Sequence, residues 1–564
     1  MPRFNRTTKH RIWTTGLLLA SLSGCGGKTE AVCDDGEFFD SDHVLHVEVT
    51  MNTDDWDALR YQSRSVEGEL SGDCRAEPLK GDYTYFPATL TIDGKEIDNI
   101  GIRKKGFIGS QSTEKPGFRI NLDEYEEDQK YACTDNITLN NSVQDPALLR
   151  QCLSYKVFRD AGIPAPRCNF ARVTMNGDDL GIYVNVEPIK KKFLRENFGD
   201  DEGDLYEGTI TDFTHVWNTT FDPKTDETDA TLAPINDLAD DLKAGNDDLE
   251  TILRRHFEFE QLLTFLSVEA WVGHWDGYGG NQNNFFIYRD PASNKMQFIP
   301  WGTDGTMDPE QIEEDQWFPN KGYLVQEILA DDALSSRWFA RIGELRGESW
   351  NADALLEEVD RLSALLTDET GMGPEEDQLD ALRYYIDGRE DSIRSLLPFR
   401  DETEFNNPVC MIEHGFIEAD FSTEWSDMPA EDIPTVLDAG TADIRLNWGG
   451  TDIDFDETGA FSGSVEDGYG NVILAGGFTG ENGPAYILPV FYFEIDGLRD
   501  GLEVELDWGG GTLLFLDEST EWQPIEIAEF WGGTAQLDEA SPVNGAAVTG
   551  SFSTGLYTWQ EVEG

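Results

Sequence analysis

The residues best placed to do chemistry stand together in His274-Trp275-Asp276-Gly277-Tyr278-Gly279-Gly280-Asn281-Gln282-Asn283-Asn284. Two strand-like runs follow, residues 284–289 and 295–299, joined by a polar turn with Asp290-Pro291. Then comes Pro300-Trp301-Gly302-Thr303-Asp304-Gly305. An H-x-D-x4-N loop, a hairpin and one more Asp form the order that phosphoryl transfer requires. One carboxylate orients the attacking hydroxyl, while an amide oxygen and a second carboxylate hold the cation that neutralises the phosphates. Protein kinases set the first Asp and the Asn five positions apart and place the metal Asp after a short hairpin. Asp276 and Asn281 have that spacing, and Asp304 follows the hairpin. The pattern by itself is only three residue types in eight positions, and a loop capped by Asp with turn-forming asparagines would look the same.

The setting gives it weight. Residues 257–275 place Phe259, Leu262, Leu263, Leu266 and Ala270 on one stripe, which predicts a buried helix running into the loop. Upstream, residues 85–92 and 95–103 flank Asp93-Gly94, a hairpin signal because both turn residues tolerate positive φ. A basic glycine turn, Lys104-Lys105-Gly106, comes next, then a strand near 117–122 with Arg119. Asp145-Pro146 reads as the N-cap and first residue of a helix with Leu149, Leu153 and Val157 on one face, ending at Gly162. A second hairpin turns at Asn176-Gly177, and residues 350–396 read as helical.

From about Gly101 to Trp301 the chain resembles the CotH family, the spore-coat protein H kinases and their secreted relatives. The segments that carry the resemblance occur in the family's order. They are Gly101-Ile102-Arg103 with Gly106; Lys115-Pro116-Gly117-Phe118-Arg119-Ile120-Asn121-Leu122; Leu139-Asn140-Asn141; Leu149-Arg150-Gln151-Cys152-Leu153 through Pro166; Asn176-Gly177 with Gly181-Ile182-Tyr183 and Glu187; Asp276-Gly277-Tyr278 with Asn281 and Asn283-Asn284; and Ile299-Pro300-Trp301. The resemblance implies an α+β, atypical protein-kinase-like fold with a small sheet-rich lobe (about 43–187) and a larger helical lobe (about 188–405). It implies ATP, Mg²⁺ or Mn²⁺, and phosphorylation of Ser/Thr on proteins outside the cytoplasm. Asp276 falls on the family's catalytic aspartate and Asn281 on its accompanying asparagine, a metal ligand with Asp304. Arg103, Lys115 and Arg119 are candidates for the phosphates, and the backbone at Glu187 for adenine. Asn284 shares the loop without an assigned role.

Two departures bear on activity. The family's acidic pair after Pro-Trp, D-x-D, has Gly302 in its first place here. The helix after Asp145 carries Gln151 and no Glu in its first three turns, so a small-lobe base lacks the usual acidic partner unless the acid comes from elsewhere. The alternative function is therefore a weak or inactive kinase-fold protein serving as a surface adhesin or nucleotide-sensing scaffold.

The ends of the chain set its compartment. Arg3, Arg6, Lys9 and Arg11 precede an apolar run, residues 13–22, and then Ser23-Gly24-Cys25. This is a secretory signal, too short for a membrane span. Leu22-Ser23-Gly24-Cys25 resembles the bacterial lipoprotein box. The expectation is removal of residues 1–24, lipid on Cys25, an acidic tether to residue 42, and an outer-membrane or cell-surface location. Cys33, Cys74, Cys133, Cys152, Cys168 and Cys410 remain for up to three disulfides of open connectivity.

Residues 411–564 hold Arg445 and Arg499 as their only Lys or Arg residues and alternate in short runs, which predicts an acidic all-β sandwich-like domain after a boundary near Asn406-Asn407-Pro408. Trp448, Trp508, Trp522 and Trp531 read as its core or as stacking platforms. Asp452-Ile453-Asp454-Phe455-Asp456 fails the EF-hand pattern. Across 564 residues, 110 acids against 42 Lys and Arg give a formal charge of −68, which argues against nucleic acid as a partner and favours basic ones; together with the resemblance this implies basic, Ser/Thr-rich protein substrates.

Overall fold

The computed structural model describes residues 38–396 and 410–560, apart from 73, 80, 82, 108, 226–230, 314–316, 431, 466–467, 481–482, 507–509 and 521. The signal, Cys25, Cys33, the 406–408 boundary and Trp508 lie outside the described residues.

Seven strands close into a barrel: β1 (Val44–Met51), β2 (Phe86–Ile92), β3 (Lys95–Lys105), β4 (Gly117–Asn121), β5 (Asn136–Asn140), β6 (Cys168–Met175) and β7 (Asp178–Val186). Their order is β1-β2-β3-β4-β5-β7-β6, and parallel pairing of β1 with β6 seals it. The two expected hairpin turns form, with φ of 49° and 78° at Asp93 and Gly94 and of 54° and 92° at Asn176 and Gly177. These positive angles suit the right-handed twist of the flanking strands. Alternation decides which residues fill the barrel. Ile100, Ile102, Phe118 and Ile120 point inward, so Arg103, Lys105 and Arg119 take the outer face. Strands β6 and β7 are buried on both faces: Ala171, Val173 and Tyr183 face the barrel core, whereas Phe170, Val184 and Val186 join the helical core.

That helical core gathers helices Arg150–Asp160, Phe259–Val272, Asp332–Leu345, Ala352–Thr370 and Glu376–Leu396 around a sheet ordered β11-β10-β8-β9. The strands of that sheet are β8 (Asp204–Gly208), β9 (Asp222–Pro223), β10 (Phe285–Asp290) and β11 (Lys295–Pro300). The helix expected from Asp145 begins at Arg150 instead. Asp145 lies before it, accepts the Gln151 N–H at 3.5 Å and has Arg150 Nε 3.8 Å from its Oδ1. The helical stretch 350–396 is two helices, broken where Gly371 takes a left-handed conformation.

The described part of the C-terminal region is β-structure apart from the short helix Ile433–Ala439 and two 3₁₀ turns, and its hydrogen bonding is continuous rather than divided between two separate sheets. Its ten strands form one sheet: β12 (Cys410–Ser426), β13 (Thr441–Trp448), β14 (Thr451–Ile453), β15 (Glu457–Ser464), β16 (Tyr469–Gly480), β17 (Gly483–Glu494), β18 (Leu502–Glu505), β19 (Gly511–Asp517), β20 (Ile525–Glu539) and β21 (Ala547–Gln560). Strand β21 pairs with both β12 and β20, and β12 also meets β15, so the sheet rolls back on itself. The long strands and the register shifts in β12, β19 and β20 supply the curvature. Among its tryptophans, Trp425 and Trp531 are buried and Trp522 is exposed. Asp452 receives the Asn447 side-chain N–H at 2.7 Å, and the described residues hold no metal-binding cluster of three His, Cys, Asp or Glu.

Two disulfides join described residues, Cys74–Cys410 and Cys152–Cys168. Cys133 is also disulfide-bonded. Cys74–Cys410 fastens the segment between β1 and β2 to the first residue of β12, beside Trp217. Next to it, Val66 and Leu70 pack on Met411, Trp531 and Tyr557. No described helix is long and apolar enough to cross a membrane.

Candidate active site

Helix Phe259–Val272 is buried on nearly every face and ends where Gly273 turns left-handed. From its last turn Glu269 reaches forward, and its carboxylate accepts the N–H groups of Tyr278 (2.9 Å) and Gly279 (3.0 Å). Burial pushes this carboxyl up to about 8. The Tyr278 hydroxyl donates to Asp212 Oδ1 at 2.9 Å, so the loop is pinned below its surface on two sides. A Cβ at Gly280 would lie 1.7 Å from the Trp275 carbonyl oxygen, which is why the turn needs glycine there.

On this support stands Asp276, half-buried, within a fan of asparagine amides. Its Oδ1 accepts from Asn281 Nδ2 (3.1 Å) and Asn283 Nδ2 (3.2 Å), and its Oδ2 accepts from Asn284 Nδ2 (2.6 Å). Burial raises its carboxyl to about 6; the amides of Asn283 and Asn281 pull against that rise, and the charge of Asp304 adds to it.

Three bonds tie this loop to the segment after β11. His274 Nε2 meets the Trp301 carbonyl oxygen at 3.1 Å, the Trp301 N–H donates to the Asn284 carbonyl at 3.0 Å, and Trp275 Nε1 donates to the Gly305 carbonyl at 2.9 Å. Burial lowers His274 to about 4, which keeps it a neutral structural imidazole. Asp304 is held in the short turn Thr303–Gly305, only 7% exposed. Among the described residues its carboxylate accepts no hydrogen bond. On the far side, Thr303 Oγ1 donates to the Gln151 carbonyl and Ser154 Oγ meets Thr306 Oγ1 at 2.7 Å, which fixes the turn against helix Arg150–Asp160.

The outer face of the barrel supplies the cations. Arg103 and Arg119 are direct cross-strand partners, and Lys105 lies two residues along on the same face. Burial lowers Lys105; the Asp304 charge opposes this, while Arg103 and Arg119 reinforce it. The neighbouring Lys104 has a different fate. It is 1% exposed and donates to the carbonyls of Arg60 (2.8 Å) and Gln62 (2.6 Å).

An unpaired buried carboxylate faced by cations, beside a second carboxylate held by neutral amides, fits a divalent cation and the phosphates it would carry. Residues 102–399 match the family model described as CotH kinase protein, which is more than half of the chain. The chain belongs to the CotH family. Of its relatives, inner spore coat protein H of Bacillus subtilis is 22% identical over 236 residues, covering 40% of this chain and 63% of its own. An inner spore coat protein H-like protein of the same organism is 41% identical over 235 residues, covering 41% and 65%. Invasin CotH7 of Rhizopus delemar is 25% identical over 208 residues, covering 33% and 35%. The chain thus spans less than two thirds of the length of each of these CotH proteins. The crystal structure of a Helicobacter pylori proinflammatory kinase, CtkA, aligns over 53% of this chain and 94% of its own at 13% identity, with a TM-score of 0.28, too low to bear on the fold.

In this CotH chain Asp276 and Asn281 share the loop, Asp304 lies on the turn bonded to it, and Arg103 and Arg119 lie on the barrel face that carries Lys105. Lys115 lies in the loop before β4, half-buried, its ammonium 5.2 Å above the Tyr183 ring. Glu187, the expected backbone contact for adenine, follows β7. Its carboxylate is bound by Arg167 (2.6 and 3.0 Å), and its N–H donates to the Arg167 carbonyl. Sequence reasoning missed the contacts of Lys105 and Glu269 and the roles of Asn283 and Asn284. Alternation along β3 was the signal for Lys105, because it shares the face of Arg103. The asparagines gave none, since their function depends on left-handed backbone at Gln282 and Asn284.

Proposed function

We propose that this CotH protein is an exported, lipid-anchored protein kinase that transfers the γ-phosphoryl group of ATP to Ser or Thr of extracytoplasmic proteins. The observation that carries the reading is the pairing of Asp276, held by three asparagine amides, with the unbonded carboxylate of Asp304 facing Lys105.

Asp276 orients the acceptor hydroxyl and takes its proton, a task suited to a carboxyl raised to about 6. Asp304 and a loop asparagine oxygen would hold Mg²⁺ or Mn²⁺, which neutralises phosphate charge when bound. Lys105, Arg103, Arg119 and Lys115 line the side from which the phosphates enter. The barrel and the helical body then act as small and large lobes of a kinase-like fold, with the nucleotide between them. The signal-like N-terminus and Cys25 support export and lipidation at the outer membrane or cell surface, and the acidic C-terminal domain suits a basic substrate.

The test is incubation of the purified exported chain with labelled ATP and Mg²⁺ or Mn²⁺, alone and with a basic Ser-rich peptide. Metal-dependent label on Ser or Thr is expected. ATP binding without transfer would favour the second reading, a nucleotide-sensing scaffold, which the absence of an acid at 302 suggests from the sequence alone.

A further inference from the structure

Trp275 comes immediately before Asp276 and is 36% exposed, whereas Trp271, one turn earlier in the chain, is 2% exposed. A tryptophan is often left at a surface because its N–H needs a partner there. Trp275 has no such need, since its Nε1 donates to the Gly305 carbonyl at 2.9 Å. That bond lays the indole against the glycine: a Cβ at Gly305 would lie 3.2 Å from Nε1 and 3.6 Å from Cζ2. The backbone beneath the ring is fixed as well. The Trp275 N–H donates to the Gly273 carbonyl at 2.9 Å, and its carbonyl accepts the Asn281 N–H at 3.1 Å. Among the described residues no aromatic ring and no Lys or Arg stacks on the indole. The outcome is a rigid, solvent-facing ring with its one polar side-chain atom satisfied, set between the loop of Asp276 and the turn of Asp304.

What such a ring offers a ligand is its π face, which attracts an ammonium or guanidinium within about 6 Å of its centre. The surroundings favour a cation too. The Met307 N–H donates to the Val272 carbonyl at 2.8 Å, so the chain leaving Gly305 runs beside the end of the buried helix. It carries Asp308 and Glu310 and meets no Lys or Arg before Lys321. An acidic side chain would be repelled there, and an apolar one would gain nothing from the carboxylates.

We infer that Trp275 is the docking platform for a Lys or Arg side chain of the acceptor protein, close in sequence to the Ser or Thr that Asp276 receives. Side chains of adjacent residues lie within about 10 Å, which an extended acceptor chain crosses in about three residues. This rests on the phosphoryl-transfer reading and names the substrate feature that the site selects.

The test uses the full exported chain with labelled ATP and Mg²⁺, and Ser peptides carrying one Lys at each of the nearest positions on either side, each paired with its norleucine counterpart. Wild type should favour Lys at a particular position by about fivefold in kcat/KM, the usual worth of an exposed cation–π pair. Trimethyl-lysine at that position keeps the charge but cannot donate a hydrogen bond, and it should serve nearly as well as Lys. Trp275→Leu should lose the preference. The preference is a ratio taken within each protein, so a change in overall rate does not enter it. No preference in wild type, an undiminished one in Trp275→Leu, or rejection of trimethyl-lysine would each overturn the inference and leave the kinase reading standing. Should Trp275→Leu fail to fold, the wild-type peptide series still decides the matter. A wild-type chain that labels no peptide would refute the phosphoryl-transfer reading, and this inference with it.

Discussion

Replacing Asp276 by Asn should separate activity from stability. The carboxyl is raised from 3.8 to about 6, so at pH 7 its ionised form is about 3 kcal/mol less favourable in the native chain than in the unfolded chain. That cost is already net of the amide bonds from Asn283, Asn281 and Asn284, which pull the carboxyl down. A neutral Asn at 276 removes the buried charge and so relieves up to about 3 kcal/mol, and the melting temperature at pH 7 should not fall by more than a few degrees. Phosphoryl transfer should fall by about 10²–10⁴-fold, the usual worth of a positioned general base. Scanning calorimetry and a labelled-ATP assay on the same preparations give both numbers. Activity within a few-fold of wild type would remove Asp276 from the chemistry. A drop in melting temperature well beyond a few degrees would show that the asparagine cage exists to hold this carboxylate for the fold.

The pH profile follows from the same group: Asp276 must be ionised to accept a proton, so kcat should fall on acidification with a midpoint near 6 rather than near 4. Stability should run the other way. Glu269, Asp145 and Asp212 are raised by burial to about 8, 7 and 6, so the native chain holds their protons where the unfolded chain has lost them; melting temperature should decline from pH 5 to pH 8, and a rise would refute these shifts. Glu269→Ala leaves two buried loop N–H groups without an acceptor and should cost about 3 kcal/mol in urea denaturation, with transfer activity lost alongside. Cys74→Ser should cost about 2–5 kcal/mol and split the melt into two transitions, because that bridge joins residues 336 apart at the foot of the C-terminal sheet; a single unshifted transition would mean that the Met411, Trp531 and Tyr557 contacts suffice.

Much of the site was legible because its signals are local. The five-residue spacing of Asp276 and Asn281, the apolar stripe of the preceding helix and the hairpin before Asp304 each depend on near neighbours. The two barrel hairpins were legible for the same reason, since Asp93-Gly94 and Asn176-Gly177 encode positive φ directly. What escaped depends on contacts between distant segments. The alternation along residues 411–564 is the same for a sandwich and for one rolled sheet, and only the pairing of β21 with both β12 and β20 distinguishes them. The motif order around Glu187 did not reveal that Arg167, across the β6–β7 pair, takes its carboxylate and its N–H. Lys104 and Lys105 look alike in the sequence, yet one is spent on two carbonyls under the barrel and the other faces Asp304.

Gly302 marks the point at which sequence and structure give different readings of activity. As a sequence it is a missing acid. In the structure it adopts a left-handed conformation, and a Cβ there would lie 2.3 Å from Asn284 Oδ1. Asn284 is also the donor of the shortest bond to Asp276, at 2.6 Å. A side chain at 302 would therefore displace the group that holds Asp276, so in this geometry an acid at 302 and the asparagine cage compete for the same space. The absence of a carboxylate at 302 is coupled to the presence of a hydrogen-bond donor on Asp276. A scaffold that only binds nucleotide has no use for a donor aimed at Asp276, whereas an enzyme working with one acid fewer near its cation gains from a general base held in a fixed orientation. That coupling weighs toward turnover, with a weaker hold on the cation than two carboxylates would give.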